Sequence, residues 1–239
     1  MATKDIDYHD GELALRGFLA YDETSGGKRP GILVAHEAWG LGEHAMDKTR
    51  TLADMGYIAF AADLFGNRKQ ITDIAEAGAI IGDLRQDPMK LRNRALAALR
   101  VLATLPQVDS TRLGAIGFCF GGTAVLELAR GGADIRGVVC FHGSLDTSSP
   151  ASPGRIKSSV LVCTGSNDPM IPPSQLNAFT DEMRNAEVDW QMTIYGSTVH
   201  SFTNPAADGS ISPGILYNKK SDERSWRAMR SFFEDRFAQ

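Results

Sequence analysis

The chain has 239 residues, 43% of them hydrophobic and 23% charged, with a formal net charge of -4; these are the proportions of an ordinary globular protein able to bury a sizeable core. The acidic balance, with no basic cluster to reverse it, argues against nucleic acid as a partner, and no apolar stretch is long enough for a membrane span. Three cysteines, Cys119, Cys140 and Cys163, form an odd set without C-x-x-C spacing, which argues against a disulfide framework or a zinc site and fits a reducing, cytoplasmic setting. The opening MATKDIDYHDGE is polar and mixed in charge, unlike a secretory signal. One α/β domain over 1–239 is the expected organisation.

In chain order, an early pair of strands is expected around 12–21 and 29–35, joined by the turn-like S-G-G-K. Further apolar runs follow at 57–62, 113–118, 137–141 and 160–164, and together with 31–35 they are apolar almost throughout, as in parallel strands covered on both faces. Asp87-Pro88 provides a cap and a helix-starting proline, after which Leu91, Ala95, Ala98, Leu99 and Leu102 keep helical spacing. From Val188 to Tyr195 apolar and polar residues alternate, predicting a half-exposed strand near an edge. Residues 221–237 predict a closing amphipathic helix with Trp226, Met229, Phe233 and Phe237 on one side. The fold class is α/β, a doubly wound and mostly parallel sheet with helices on both faces.

Open parallel sheets bind ligands beyond the carboxyl ends of their strands, and reactive residue types collect there. His36, Glu37, Ala38 and Trp39 follow the run at 31–35, Cys119 follows 113–118, and His142 follows 137–141. Asp168 lies in G-S-N-D-P after 160–164, and His200 ends G-S-T-V-H after Tyr195.

A free cysteine is usually a small buried hydrophobe, a reading that suits Cys140 and Cys163 within their apolar runs. Cys119 differs. Residues 115–122 read A-I-G-F-C-F-G-G, placing Cys119 at the centre of G-x-C-x-G between a strand and a helix-like run. This is the nucleophile-elbow pattern with cysteine in the serine position. Small flanking residues are required because the turn is tight. At a helix N-terminus, a partial charge of roughly +0.5 favours thiolate. The order nucleophile, acid, histidine is that of the α/β-hydrolases, giving Cys119, Asp168 and His200. Taken singly, Asp168 is an Asx-type turn residue before proline and His200 an ordinary loop histidine. His36 and His142 are competing bases, although His142 also fits a structural hydrogen-bonding role at a strand end. The Phe120 N–H, directly after the nucleophile, is the expected half of an oxyanion hole.

These pieces together resemble the dienelactone hydrolase family of the α/β-hydrolase superfamily. The matching segments are V-A-H-E-A-W-G-L (34–41), A-A-D-L-F-G (61–66), G-F-C-F-G-G (117–122), G-S-N-D-P (165–169) and H-S-F-T-N-P (200–205), which span nearly the whole chain. The resemblance implies an α/β-hydrolase fold, a Cys119–His200–Asp168 triad, and Glu37 as an additional carboxylate that takes part in thiol activation. Glu37 would be costly to bury unless it is paired or protonated. A buried carboxylate has a raised pKa and can exchange a proton with a nearby thiol; the plainer alternative is a loop residue that hydrogen-bonds backbone amides. Ala38 is expected to supply the second oxyanion N–H. Family members that cleave dienelactone hold its carboxylate with arginines. Here Asn204 occupies the place of one of them, and Arg68 is a second candidate contact. Trp39, Phe65, Phe118, Phe120 and Met170 are candidates for an apolar pocket.

The reading is a hydrolase without metal or cofactor, acting on activated esters or lactones, with hydrolysis of activated phosphotriesters as the leading alternative. A class I glutamine amidotransferase would carry an acid two residues after the histidine, where Phe202 stands. A non-catalytic, hydrolase-like ligand-binding protein remains an alternative. A redox-sensing Cys119 would need a resolving cysteine, and none is evident.

Overall fold

The structure, a computed structural model, describes residues 1–24 and 26–238. Ser25, the first residue of the S-G-G-K connection, lies outside the described residues. The chain opens with a hairpin of β1 (Ala2–Asp10) and β2 (Leu13–Tyr21), turning at Gly11 with φ 58°. Then come β3 (Arg29–Ala35), α1 (Glu43–Asp54) and β4 (Ile58–Ala62), followed by α2 (Ile74–Gln86) and α3 (Pro88–Thr104). The second half runs β5 (Val108–Phe118), α4 (Phe120–Arg130), β6 (Gly137–Phe141), β7 (Ser159–Gly165), α5 (Pro173–Asn185), β8 (Trp190–Tyr195) and α6 (Lys219–Phe237).

These strands form one eight-stranded sheet in the order β1-β2-β4-β3-β5-β6-β7-β8. From β4 through β8 every neighbouring pair is parallel, while β1 and β2 are antiparallel additions at one edge. The early strands thus differ from the sequence expectation. The strand at Leu13–Tyr21 pairs with β1 and β4, and not with the strand that follows it in the chain. The β1 strand was not anticipated, because along its length only Tyr8 is fully buried. The alternating run from Val188 does end the sheet, as β8.

Alternate side chains of the central strands feed two cores. Leu33 and Ala35 enter the core under α2 to α5, whereas Ile32 and Val34 enter the one under α1 and α6. Asp87 caps α3 by accepting a hydrogen bond from the Lys90 N–H at 3.2 Å. On α6, Met229 and Phe233 are fully buried, with Trp226 and Phe237 packed at the margin of the same core. All six parallel strands carry their carboxyl ends to one edge, which is where the reactive side chains meet. No helix among the described residues is long and apolar enough to cross a membrane.

Phe233 is 0% exposed and stacks on Phe237 at a centroid distance of 5.1 Å. Phe233→Ala is expected to cost about 3–5 kcal/mol of unfolding free energy in urea denaturation. A loss below about 1 kcal/mol would contradict this packing.

Candidate active site

The turn from β5 into α4 fixes the position of Cys119. Its backbone sits at φ 54°, ψ -120°, a conformation costly for a residue with a β-carbon. Glycines permit the turn: a β-carbon on Gly117 would run into the Gly121 carbonyl, and one on Gly121 would run into the Ala35 carbonyl. The Cys119 N–H is shared between the Phe141 carbonyl at 3.0 Å and His142 Nδ1 at 3.1 Å. Cys119 is partly exposed, whereas Cys140 and Cys163 are buried, and burial pushes each of those thiols up to about 12. Phe120 opens α4, so its N–H has no intrahelical partner.

Asp168 and His200 converge on this turn from the ends of β7 and β8. Asp168 Oδ2 lies 2.9 Å from His200 Nδ1, while its Oδ1 accepts the Met170 N–H at 2.9 Å. The Asx-type turn and the histidine contact therefore coexist, one oxygen serving each. His200 is pinned through its backbone, its N–H to Gly214 and its carbonyl to the Leu216 N–H, both at 3.0 Å. Its buried Nε2 meets no partner with full hydrogen-bond geometry, and the Cys119 thiol is the group that acts on it. Burial lowers the His200 pKa, but the charge of a Cys119 thiolate, then the Asp168 hydrogen bond, raise it to about 10. Cys119 and Asp168 are thus the two groups that favour the protonated form of His200.

Glu37 corrects an expectation. Burial alone would raise its pKa, yet the hydrogen bond and charge of His44, followed by Asn204 and His200, hold it below the usual carboxylate range. Glu37 Oε2 lies 3.2 Å from His44 Nδ1 and accepts from Asn204 Nδ2 at 2.7 Å. It is an anion here, not a stored proton. His44 escaped the sequence reading because it sits in the first turn of α1, seven residues beyond Glu37 and separated from it by a loop.

His36 and His142 have both ring nitrogens engaged, which leaves neither free to act as a base. The Leu64 N–H donates to His36 Nε2 at 3.2 Å, so Nδ1 carries the hydrogen and donates to the Glu37 carbonyl at 2.6 Å. His142 Nδ1 accepts from Cys119, so Nε2 donates to Thr203 Oγ1 at 2.8 Å. Burial lowers both pKa values, keeping these rings neutral.

A cavity of about 250 Å³ brings Cys119, His200, Glu37, Ala38 and Phe120 together. Trp39 and Met170 also line it, along with Ile74, Ile81, Ile211 and Ile215, which the sequence reading did not single out. Three proposed substrate contacts lie elsewhere. Phe65 is buried against His36 and Phe120, at centroid distances of 4.7 and 5.7 Å. Arg68 pairs with Asp5 of β1 at 2.8 Å and lies over the Phe18 ring. Asn204 binds Glu37 and lines the adjoining groove instead of this cavity. Phe118, another pocket candidate, is a core residue stacked on Phe141 at 4.9 Å. Arg85 of α2 does reach the cavity wall, but Asp146 holds its guanidinium by contacts of 2.6 and 2.7 Å.

The His200 pKa yields a direct test. In the folded protein His200 should keep its proton until about pH 10, so its contribution to stability is complete below about 6.5 and is lost as pH rises through the higher value. Histidine NMR titration should place the His200 midpoint near 10 and move it down by more than about one unit in Cys119→Ala, which removes the largest raising influence. A wild-type midpoint near 6.5 would contradict the influence of Cys119 and Asp168 on His200.

Known proteins resemble this chain over most of its length. The model of the dienelactone hydrolase family matches residues 15–237. A probable 2-oxo-3-(5-oxofuran-2-ylidene)propanoate lactonase from Bradyrhizobium sp is 32% identical over 218 residues, covering 84% of this chain and 86% of that protein. A putative carboxymethylenebutenolidase from Methylorubrum extorquens is 27% identical, covering 78% and 70%. Among solved structures, the dienelactone hydrolase-like promiscuous phosphotriesterase P91 from metagenomic libraries superposes with a TM-score of 0.91 at 41% identity, covering 98% of each chain. A structure named m3DLH gives a TM-score of 0.94 at 44% identity, again with 98% coverage of each. With its eight-stranded sheet and a family match that runs through the elbow, the acid turn and the histidine loop, this chain belongs to the dienelactone hydrolase family and is a hydrolase.

Proposed function

We propose that the protein hydrolyses activated esters and lactones through Cys119, His200 and Asp168, without a cofactor. The observation that carries this reading is the meeting of a partly exposed thiol, on a strained turn, with a histidine already oriented by a buried carboxylate. Thiolate Sγ attacks the carbonyl carbon, forming the C–S bond and placing negative charge on the carbonyl oxygen. The Phe120 and Ala38 N–H groups receive that charge. As the C–O bond breaks, the His200 imidazolium gives its proton to the leaving oxygen. Neutral His200 then takes a proton from water, whose oxygen attacks the thioester and releases the acid with the thiolate restored. Asp168 keeps the ring aligned through both steps.

Because a thiolate is itself a good leaving group, the tetrahedral adduct goes forward best when the departing alkoxide is weakly basic. Aryl esters and strained lactones meet that condition. The cavity wall is largely apolar, and the one arginine it includes is committed to Asp146, which favours neutral substrates. The same features suit activated phosphotriesters, which are neutral and electrophilic at phosphorus. The likeness to a phosphotriesterase at 41% identity favours keeping that second reading.

Alkylation with iodoacetamide should label Cys119 first and abolish turnover in parallel, since Cys140 and Cys163 are buried. Full activity after stoichiometric Cys119 labelling would defeat the proposal. His200→Ala should lower kcat by about 10²–10⁴-fold or more. For substrate choice, a neutral aryl ester should have a higher kcat/KM than its carboxylate-bearing analogue, by about ten- to a hundredfold if one charge-assisted contact is missing. A preference for the anionic analogue of tenfold or more would overturn the argument from Arg85 and Asn204.

A further inference from the structure

Glu37 is a buried carboxylate in the wall of the catalytic cavity, and such a charge persists only where other groups compensate it. Two side chains meet its Oε2, the Asn204 amide at 2.7 Å and the His44 ring at 3.2 Å. Hydrogen bonding constrains the state of that ring. His44 Nε2 lies 3.1 Å from the Thr203 carbonyl, which can only accept, so Nε2 carries a hydrogen. The other nitrogen, Nδ1, faces Glu37. If neutral, it would set a lone pair against a carboxylate; with a proton it makes an ion pair. The approach is close though not ideally aligned, and hydrogen bonding and charge from His44 both favour the ionised carboxylate. The pair is largely dry, with side-chain exposures of 12% and 8%, and the Phe118 ring packs edge-on against His44 at 4.9 Å.

The other end of Glu37 is also held. Its carbonyl accepts from His36 Nδ1 at 2.6 Å. The chain has no cis peptide bonds among the described residues, so the Ala38 N–H points opposite to that carbonyl. Fixing Glu37 at its carbonyl and its carboxylate therefore fixes the peptide that presents the Ala38 N–H. Thr203 links this loop to the nucleophile: its carbonyl meets His44, and its hydroxyl meets His142, which in turn accepts from the Cys119 N–H.

We propose that His44 is a positioning residue that acts through Glu37, its imidazolium anchoring the carboxylate and thereby holding the Glu37–Ala38 peptide in place for the oxyanion. The proposal rests on the hydrolase reading above. Besides His44 on α1, the titratable groups that share the cavity with Glu37 are His200 from the loop after β8, Cys119 from the elbow, and Arg85 of α2, which is paired with Asp146. Further along the adjoining groove stand Glu43, Asp47 and Lys48 of α1, with Lys48 paired to Asp222 at 3.4 Å. Among the described residues, His44 is the titratable group outside the triad whose ring meets the Glu37 carboxylate at contact distance.

The test is a double-mutant cycle of His44→Gln and Glu37→Gln, read as kcat/KM against pH on a neutral aryl ester, with iodoacetamide labelling of Cys119 measured alongside. His44→Gln should lower kcat/KM about tenfold or more at pH 7, up to the roughly 10²–10³-fold loss seen when an oxyanion donor is removed outright. Its acid limb should move up by about one pH unit, because Glu37 without its counter-ion protonates at higher pH and activity is lost sooner as pH falls. The double variant should be no slower than Glu37→Gln alone. Labelling of Cys119 at pH 8 should change by no more than about threefold, since alkylation needs no oxyanion hole. Additive losses in the double variant, or an unshifted acid limb, would overturn the proposal. His44→Asn, a smaller amide, repeats the cycle if the glutamine variant fails to fold. Failure of the hydrolase reading is distinguishable, since Cys119→Ala would then retain turnover whatever the His44 variants do.

Discussion

At Cys119 the chain passes from strand to helix with no room for a β-carbon at Gly117 or Gly121. That close approach is the constraint on which the site depends. It requires a buried parallel strand ending at Phe118 and a helix starting at Phe120, with the Ala35 carbonyl packed against the turn. The thiol is thereby projected at the carboxyl edge of the sheet, next to a helix N-terminus whose partial positive charge favours an anion. Asp168 and His200 arrive at the same edge because their strands run parallel to β5. A turn strained by roughly 1–3 kcal/mol is retained because the structure on both sides over-determines it.

Around the elbow, the buried ionisable groups divide by task. Asp168, His200 and Cys119 meet in one series, and Glu37 with His44 and Asn204 forms a second beside it. The two remaining buried histidines are neutral and structural, each with one nitrogen accepting a backbone N–H. Histidine can meet both demands because the hydrogen bond at one nitrogen sets the role of the other. The site places its rings by backbone hydrogen bonds and its charges by pairing.

The parallel strands and the elbow were legible in the sequence because both are local. An apolar run between turns marks a strand buried on both faces, and closely spaced glycines mark the tight turn. Asp168 and His200 were readable from their position after strands. The rest depends on contacts between distant residues. Asn204 and Glu37 are 167 residues apart, and no local pattern announces that an amide will serve a carboxylate instead of a substrate. Pairing was one of the two states expected of a buried Glu37, but no local pattern names His44 as the partner. Arg68 looked free because β1 was not read as a strand, and it is Asp5 on β1 that takes its charge. That strand eluded pattern recognition because most of its side chains face water.

The central claim is that Cys119 forms a covalent bond with the substrate during turnover. Rapid-quench mass spectrometry of His200→Ala with an aryl ester tests it directly, because removing the histidine slows attack of water on the thioester. The account predicts one acyl group per chain, located by peptide mapping on Cys119 and absent from Cys119→Ala. An acyl group on another residue, or hydrolysis by wild-type protein that persists in Cys119→Ala, would contradict it.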